Sequence, residues 1–131
     1  MTPEITALTL AALLHVGTLT LLVICANVQL PRYMTMGKRD TDFSDQITGK
    51  TARVYRTYNN SLENLMLFGI AAGIIAISGQ STPLTATCAW VFLAARVLYI
   101  PAYVYGLTPW RSYIWLTGVI ATTIMLIAAL V

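Results

Sequence analysis

Four polar side chains stand close together in the stretch RVYRTYNNSLENLMLF, Arg53 to Phe68: Arg53, Arg56, Asn60 and Glu63. At about 100° per residue in a helix, their steps of three, four and three put all four on one face, within roughly a quarter of the circumference. That face offers two guanidiniums, an amide and a carboxylate. Arginine makes forked hydrogen bonds to carboxylates, and a carboxylate accepts from an amine, so the set suits a small zwitterionic peptide. A second set follows in AARVLYIPAYVYG, where Arg96, Tyr99 and Tyr103 also share a face, and Arg111 comes just beyond in GLTPWRS.

The elements that must carry these residues belong in a bilayer. The 131-residue chain is 57% hydrophobic and only 10% charged, with a mean hydropathy of +0.71, whereas a soluble domain is about 25% charged. Four apolar runs have the length to cross a hydrocarbon core of about 30 Å. The expected spans are residues 5–28, 62–77 on a helix that starts near 50, 84–105 and 110–131. Together they make one all-α, integral membrane four-helix bundle. Most helix surfaces in so small a bundle face lipid or another subunit, so a homo-oligomer with a site at a subunit boundary is expected.

Topology follows from charge. All eight Lys and Arg residues fall at or toward the side that holds the loop after the first helix and the turn after the third. By the positive-inside rule that side is cytoplasmic, with both termini outside. The net charge of +3 is too small to argue for nucleic acid. Within the spans, Cys25 and Cys88 read as small buried hydrophobes rather than a disulfide. His15 lies mid-span, where an ionisable group is either functional or a neutral imidazole bonded to a neighbouring helix. Arg96 should not face lipid, and Glu63 is its expected partner, the one acid embedded with it. Pro101 removes a helix hydrogen bond between Tyr99 and Tyr103. Asn27 and Gln29 could cap the first helix or reach the site. The mixed charges of residues 31–49 read as a solvated loop, and Trp110, Tyr113 and Trp115 as an interfacial belt.

The pattern Arg56, Asn60, Glu63 and Phe68, with Arg96, Tyr99 and Tyr103 on the next helix and Arg111 beyond, resembles the MAPEG family, the membrane-associated proteins of eicosanoid and glutathione metabolism. The loop GKRDTDFSDQITGKTARVYRTYNNSLEN is most similar to the bacterial branch. The resemblance implies a homotrimer in a bacterial inner membrane, with glutathione as co-substrate bound between the second helix of one subunit and its neighbours. It implies carboxylate contacts from Arg53 and Arg56, polar contacts from Asn60 and Glu63, a cleft lined by Arg96, Tyr99 and Tyr103, and a thiolate-stabilising role for Arg111. No metal is implied. The activity implied is thiol transfer to a hydrophobic electrophile, or peroxide reduction. Two other readings stay open, a non-catalytic lipid-binding protein and a structural subunit of a membrane complex. Arg53 and Arg56 could also be topology anchors, and Arg96 with Glu63 a buried pair that fixes helix register.

Overall fold

The computed structural model describes residues 2–29, 49–107 and 109–131. Four helices account for nearly all of them: α1 (Pro3–Gln29), α2 (Gly49–Ser78), α3 (Pro83–Val104) and α4 (Trp110–Leu130). No strand occurs among the described residues. Each helix contains a stretch long and apolar enough to cross a membrane. Helices are what such sequence must form, because the hydrocarbon offers no partner to a free N–H or C=O. The same constraint governs the threonines of α1. Thr6, Thr9, Thr18 and Thr20 each turn the hydroxyl back onto the carbonyl four residues earlier, at 2.9–3.1 Å, and so carry no unsatisfied donor into lipid.

The helix ends are set by local chemistry. Gly79, at φ 68, ends α2, and the Gln80 N–H reaches back to the Ile75 carbonyl at 3.1 Å, the six-to-one bond of a left-handed helix stop. Thr82 caps α3 through a reciprocal box with Thr85, and Pro83 takes the first helical position, where its missing N–H costs nothing. At the other end of α3, Gly106 at φ 69 and the Leu107 N–H to Ala102 carbonyl bond at 2.8 Å repeat the six-to-one stop. Pro101 sits inside the helix, and its carbonyl still accepts from the Tyr105 N–H at 3.0 Å.

α2 and α3 form the middle of the bundle, each packed on all three other helices, with α1 and α4 flanking them. The core is a parallel stack of Phe68 on Phe92, with centroids 4.1 Å apart, surrounded by Ala71, Ala72, Ile75, Ala89, Ala121 and Met125. Alanines around two large rings let the backbones approach closely, which is how helices associate where no water is expelled. Cys25 and Cys88 are free thiols, and Cys88 is buried.

One buried acid holds the end of the bundle remote from Arg53 and Arg56. Glu4, in the first turn of α1, has no exposed surface. Its carboxylate accepts from Ser81 Oγ at 3.0 Å to both oxygens and from Thr85 Oγ1, beside the N-terminus of α3. Hydroxyl donors and the positive end of the helix dipole together compensate the charge.

Candidate functional site

α2 and α3 meet at the opposite end of the bundle, where the helix spacing read from sequence becomes contact. Arg56 Nε donates to Tyr103 Oη at 3.1 Å. The Arg111 guanidinium, from the start of α4, lies 4.9 Å from the centre of the same ring. Two cations from different helices therefore converge on one tyrosine, held by its hydroxyl and its π face. Tyr103 in turn leans on Tyr99, with centroids 5.6 Å apart, and the Arg96 guanidinium lies 4.3 Å over the Tyr99 ring. The result is a column of alternating cations and rings running from the rim into the bundle.

Beside the column opens a cleft of about 200 Å³, lined by Asn60, Tyr99, Arg111, Ser112 and Trp115. Asn60 is steadied by Asn64, whose Nδ2 donates to the Asn60 carbonyl at 2.9 Å and to its Oδ1 at 3.2 Å. Arg111 Nε is buried and has no hydrogen-bond partner among the described residues. A buried donor left open costs about 1–3 kcal/mol, more when charged, so its persistence at a cleft wall marks a place for an acceptor. Arg53 plays a different part. Its Nη1 donates to the Val104 carbonyl at 3.4 Å, and it packs so tightly on Gly106 that a Cβ there would lie 3.1 Å from Nη1. Gly106 is thus favoured by its positive φ, and any Cβ there would press the guanidinium aside by a few tenths of an ångström.

Three expectations change. Arg96 does not pair with Glu63; its Nη2 donates to Ser61 Oγ at 2.7 Å, and the residue is 4% exposed. Ser61 and Glu63 are two positions apart, about 200° around the helix, so the side of α2 that meets Arg96 cannot present Glu63. Glu63 lies instead on the exposed surface of α2 and is not among the residues that line the cleft. Trp115, assigned above to an interfacial belt, is a wall of the cleft. Its signal was its position four residues after Arg111, the spacing that puts two side chains on one helix face. Ser112 was missed altogether, and nothing in its neighbourhood in sequence distinguishes it. Asn27 donates to the Val23 carbonyl of its own helix at 2.9 Å. The side chain of Gln29 and the loop of residues 31–48 lie outside the described residues.

Comparison with known proteins gives one match, the MAPEG family, over residues 7–131, nearly the whole chain. The chain belongs to the MAPEG family. No curated protein and no solved structure matches it. Membership together with four span-length helices makes this an integral membrane protein, of a family associated with glutathione. The matched residues of this MAPEG chain include both arginine sets and every residue of the cleft, but they exclude Glu4.

Proposed function

We propose that this MAPEG protein binds glutathione as co-substrate in the cleft between α2, α3 and α4, and activates its thiol for attack on a hydrophobic electrophile, as a transferase or peroxidase. The observation that carries the reading is the convergence of Arg56 and Arg111 on Tyr103 beside a cleft where Arg111 Nε has no partner among the described residues. Arg56, with Arg53 behind it, supplies donors for the carboxylates of the peptide, and Asn60 an amide for its polar backbone. Tyr99 and Tyr103 hold these cations in place, and Arg96 acts from behind through Tyr99. A thiol of pKa about 8.5 is mostly protonated at neutral pH, and a neighbouring cation favours the thiolate. Arg111 is the catalytic residue in this scheme. The surrounding bilayer brings an apolar electrophile to the same place, adding proximity to activation.

Glu63 fits this reading in an assembly. An exposed carboxylate inside a span is costly against lipid, and a second copy of the chain would cover it, consistent with a homotrimer in which Glu63 completes the peptide site across the boundary. The charge distribution along the whole chain supports a cytoplasmic opening, and the loop's similarity to the bacterial branch supports a bacterial inner membrane.

The test is ultraviolet difference absorbance of the detergent-solubilised protein titrated with glutathione near neutral pH. A saturable thiolate band that shrinks in Arg111→Ala is the expected result. No band, and no glutathione binding by calorimetry, refutes it. A second reading, lipid binding without catalysis, draws on a mainly apolar groove of about 250 Å³ between α3 and α4, lined by Cys88, Val91, Ile120 and Ile124 among others. It predicts ligand affinity indifferent to Arg111→Ala.

A further inference from the structure

Asn64 lies one turn of α2 deeper than Asn60, is 6% exposed, and is not among the residues that line the cleft. Its side chain donates twice to Asn60, to the backbone carbonyl at 2.9 Å and to the side-chain amide at 3.2 Å. Together these bonds fix which way both amides face. A backbone carbonyl only accepts, so the Asn64 atom beside it is the Nδ2 donor. That nitrogen has nothing to accept with, so the Asn60 atom it meets is Oδ1. An amide side chain has nearly the same shape either way round, and here the backbone removes the ambiguity.

Asn60 is half-buried and forms one wall of the cleft. With Oδ1 turned to Asn64, its Nδ2 is the half of the amide left for the cleft, and it makes no hydrogen bond among the described residues. The other walls have a similar bias. Arg111 and Trp115 carry N–H donors and no acceptor, while the hydroxyls of Tyr99 and Ser112 serve in either sense.

We propose that Asn64 is a positioning residue, which holds the Asn60 amide with its donor toward the cleft. The cleft thereby selects a ligand that presents an acceptor to Asn60, a carbonyl or carboxylate oxygen rather than an N–H or an ammonium. The orientation of the amide stands on the two hydrogen bonds alone. Its consequence for binding rests on the proposed glutathione reading, in which the peptide turns an oxygen to Asn60.

The orientation is read without any ligand. In protein labelled with ¹⁵N-asparagine and studied in bilayers by solid-state NMR, the side-chain amide hydrogens of Asn60 should exchange with deuterated water much faster than those of Asn64. Equal protection, or the reverse order, overturns the proposal. The coupling is read by a double-mutant cycle on glutathione affinity, using Asn64→Leu, Asn60→Leu and the pair, each checked for folding by circular dichroism. Asn64→Leu should lower affinity about fivefold, the worth of one hydrogen bond, and leave kcat near its unaltered value. In the Asn60→Leu background the same change should do nothing further, because Asn64 acts through Asn60. Losses that multiply in the double variant point to a general effect on the bundle and overturn the positioning role. Asn60→Asp keeps the shape but replaces the donor by an acceptor, so affinity should fall at least as far as in Asn60→Leu. Affinity retained in Asn60→Asp overturns the choice of an acceptor ligand. Absence of glutathione binding in the unaltered protein defeats the functional reading instead, and the exchange order decides the amide separately.

Discussion

The two ends of the bundle handle buried charge in opposite ways. At one end Glu4 is enclosed, and hydroxyls of Ser81 and Thr85 bond its carboxylate. At the other, Arg56 and Arg111 share one tyrosine beside an open cleft, and a buried guanidinium nitrogen has no partner among the described residues. A charge enclosed by donors fixes structure, whereas on the proposed reading an open donor beside a cleft receives a ligand.

Substitutions should separate the two ends. Arg111→Ala should lower the rate at saturating glutathione by about 100-fold, as loss of a preorganised transition-state donor does, while thermal stability changes little; turnover and a melting curve on the same preparation check both. Glu4→Ala should do the reverse. It leaves two hydroxyls without their acceptor and should cost about 2 kcal/mol of stability, read by denaturation in detergent, with glutathione affinity within twofold of the unaltered protein. A comparable loss of affinity would erase the distinction between the ends. Arg56→Ala should weaken glutathione binding about tenfold, equivalent to 1.4 kcal/mol, with the rate at saturation largely kept, by calorimetry and steady-state kinetics. Tyr103→Phe keeps the ring under Arg111 but removes the acceptor of Arg56, so affinity should fall only about threefold, within the usual worth of one hydrogen bond.

The four helices were legible because a bilayer leaves an apolar chain few alternatives, and composition alone reveals the solvent. Arg56 and Tyr103 were legible as spacing on their helices and Arg111 only through the family resemblance, and none of it as contact between helices. Two features were not. Nothing in the sequence singles out Glu4, because its partners are 77 and 81 residues away and are hydroxyls, which sequence offers everywhere. Arg96 was paired with Glu63 on the premise that a buried cation needs an anion, yet a serine and a tyrosine ring receive it. Opposite charge was a weaker guide than helical phase, since the α2 face turned to Arg96 carries Ser61.

α2 has 30 residues and α3 has 22, so at about 1.5 Å per residue α2 is longer by roughly 12 Å. Arg53 bonds to Val104 and Arg56 to Tyr103, at the C-terminal end of α3, so only the first residues of α2 run on beyond them, and on the proposed reading the cleft opens at this end of the spans, near the lipid headgroups. A reaction run there draws its peptide from water and its apolar reactant from the membrane. The quantity that governs saturation by the latter is then its mole fraction in the lipid. At a fixed total amount of that reactant, added lipid should dilute it and slow turnover, while saturation by glutathione stays tied to the aqueous volume.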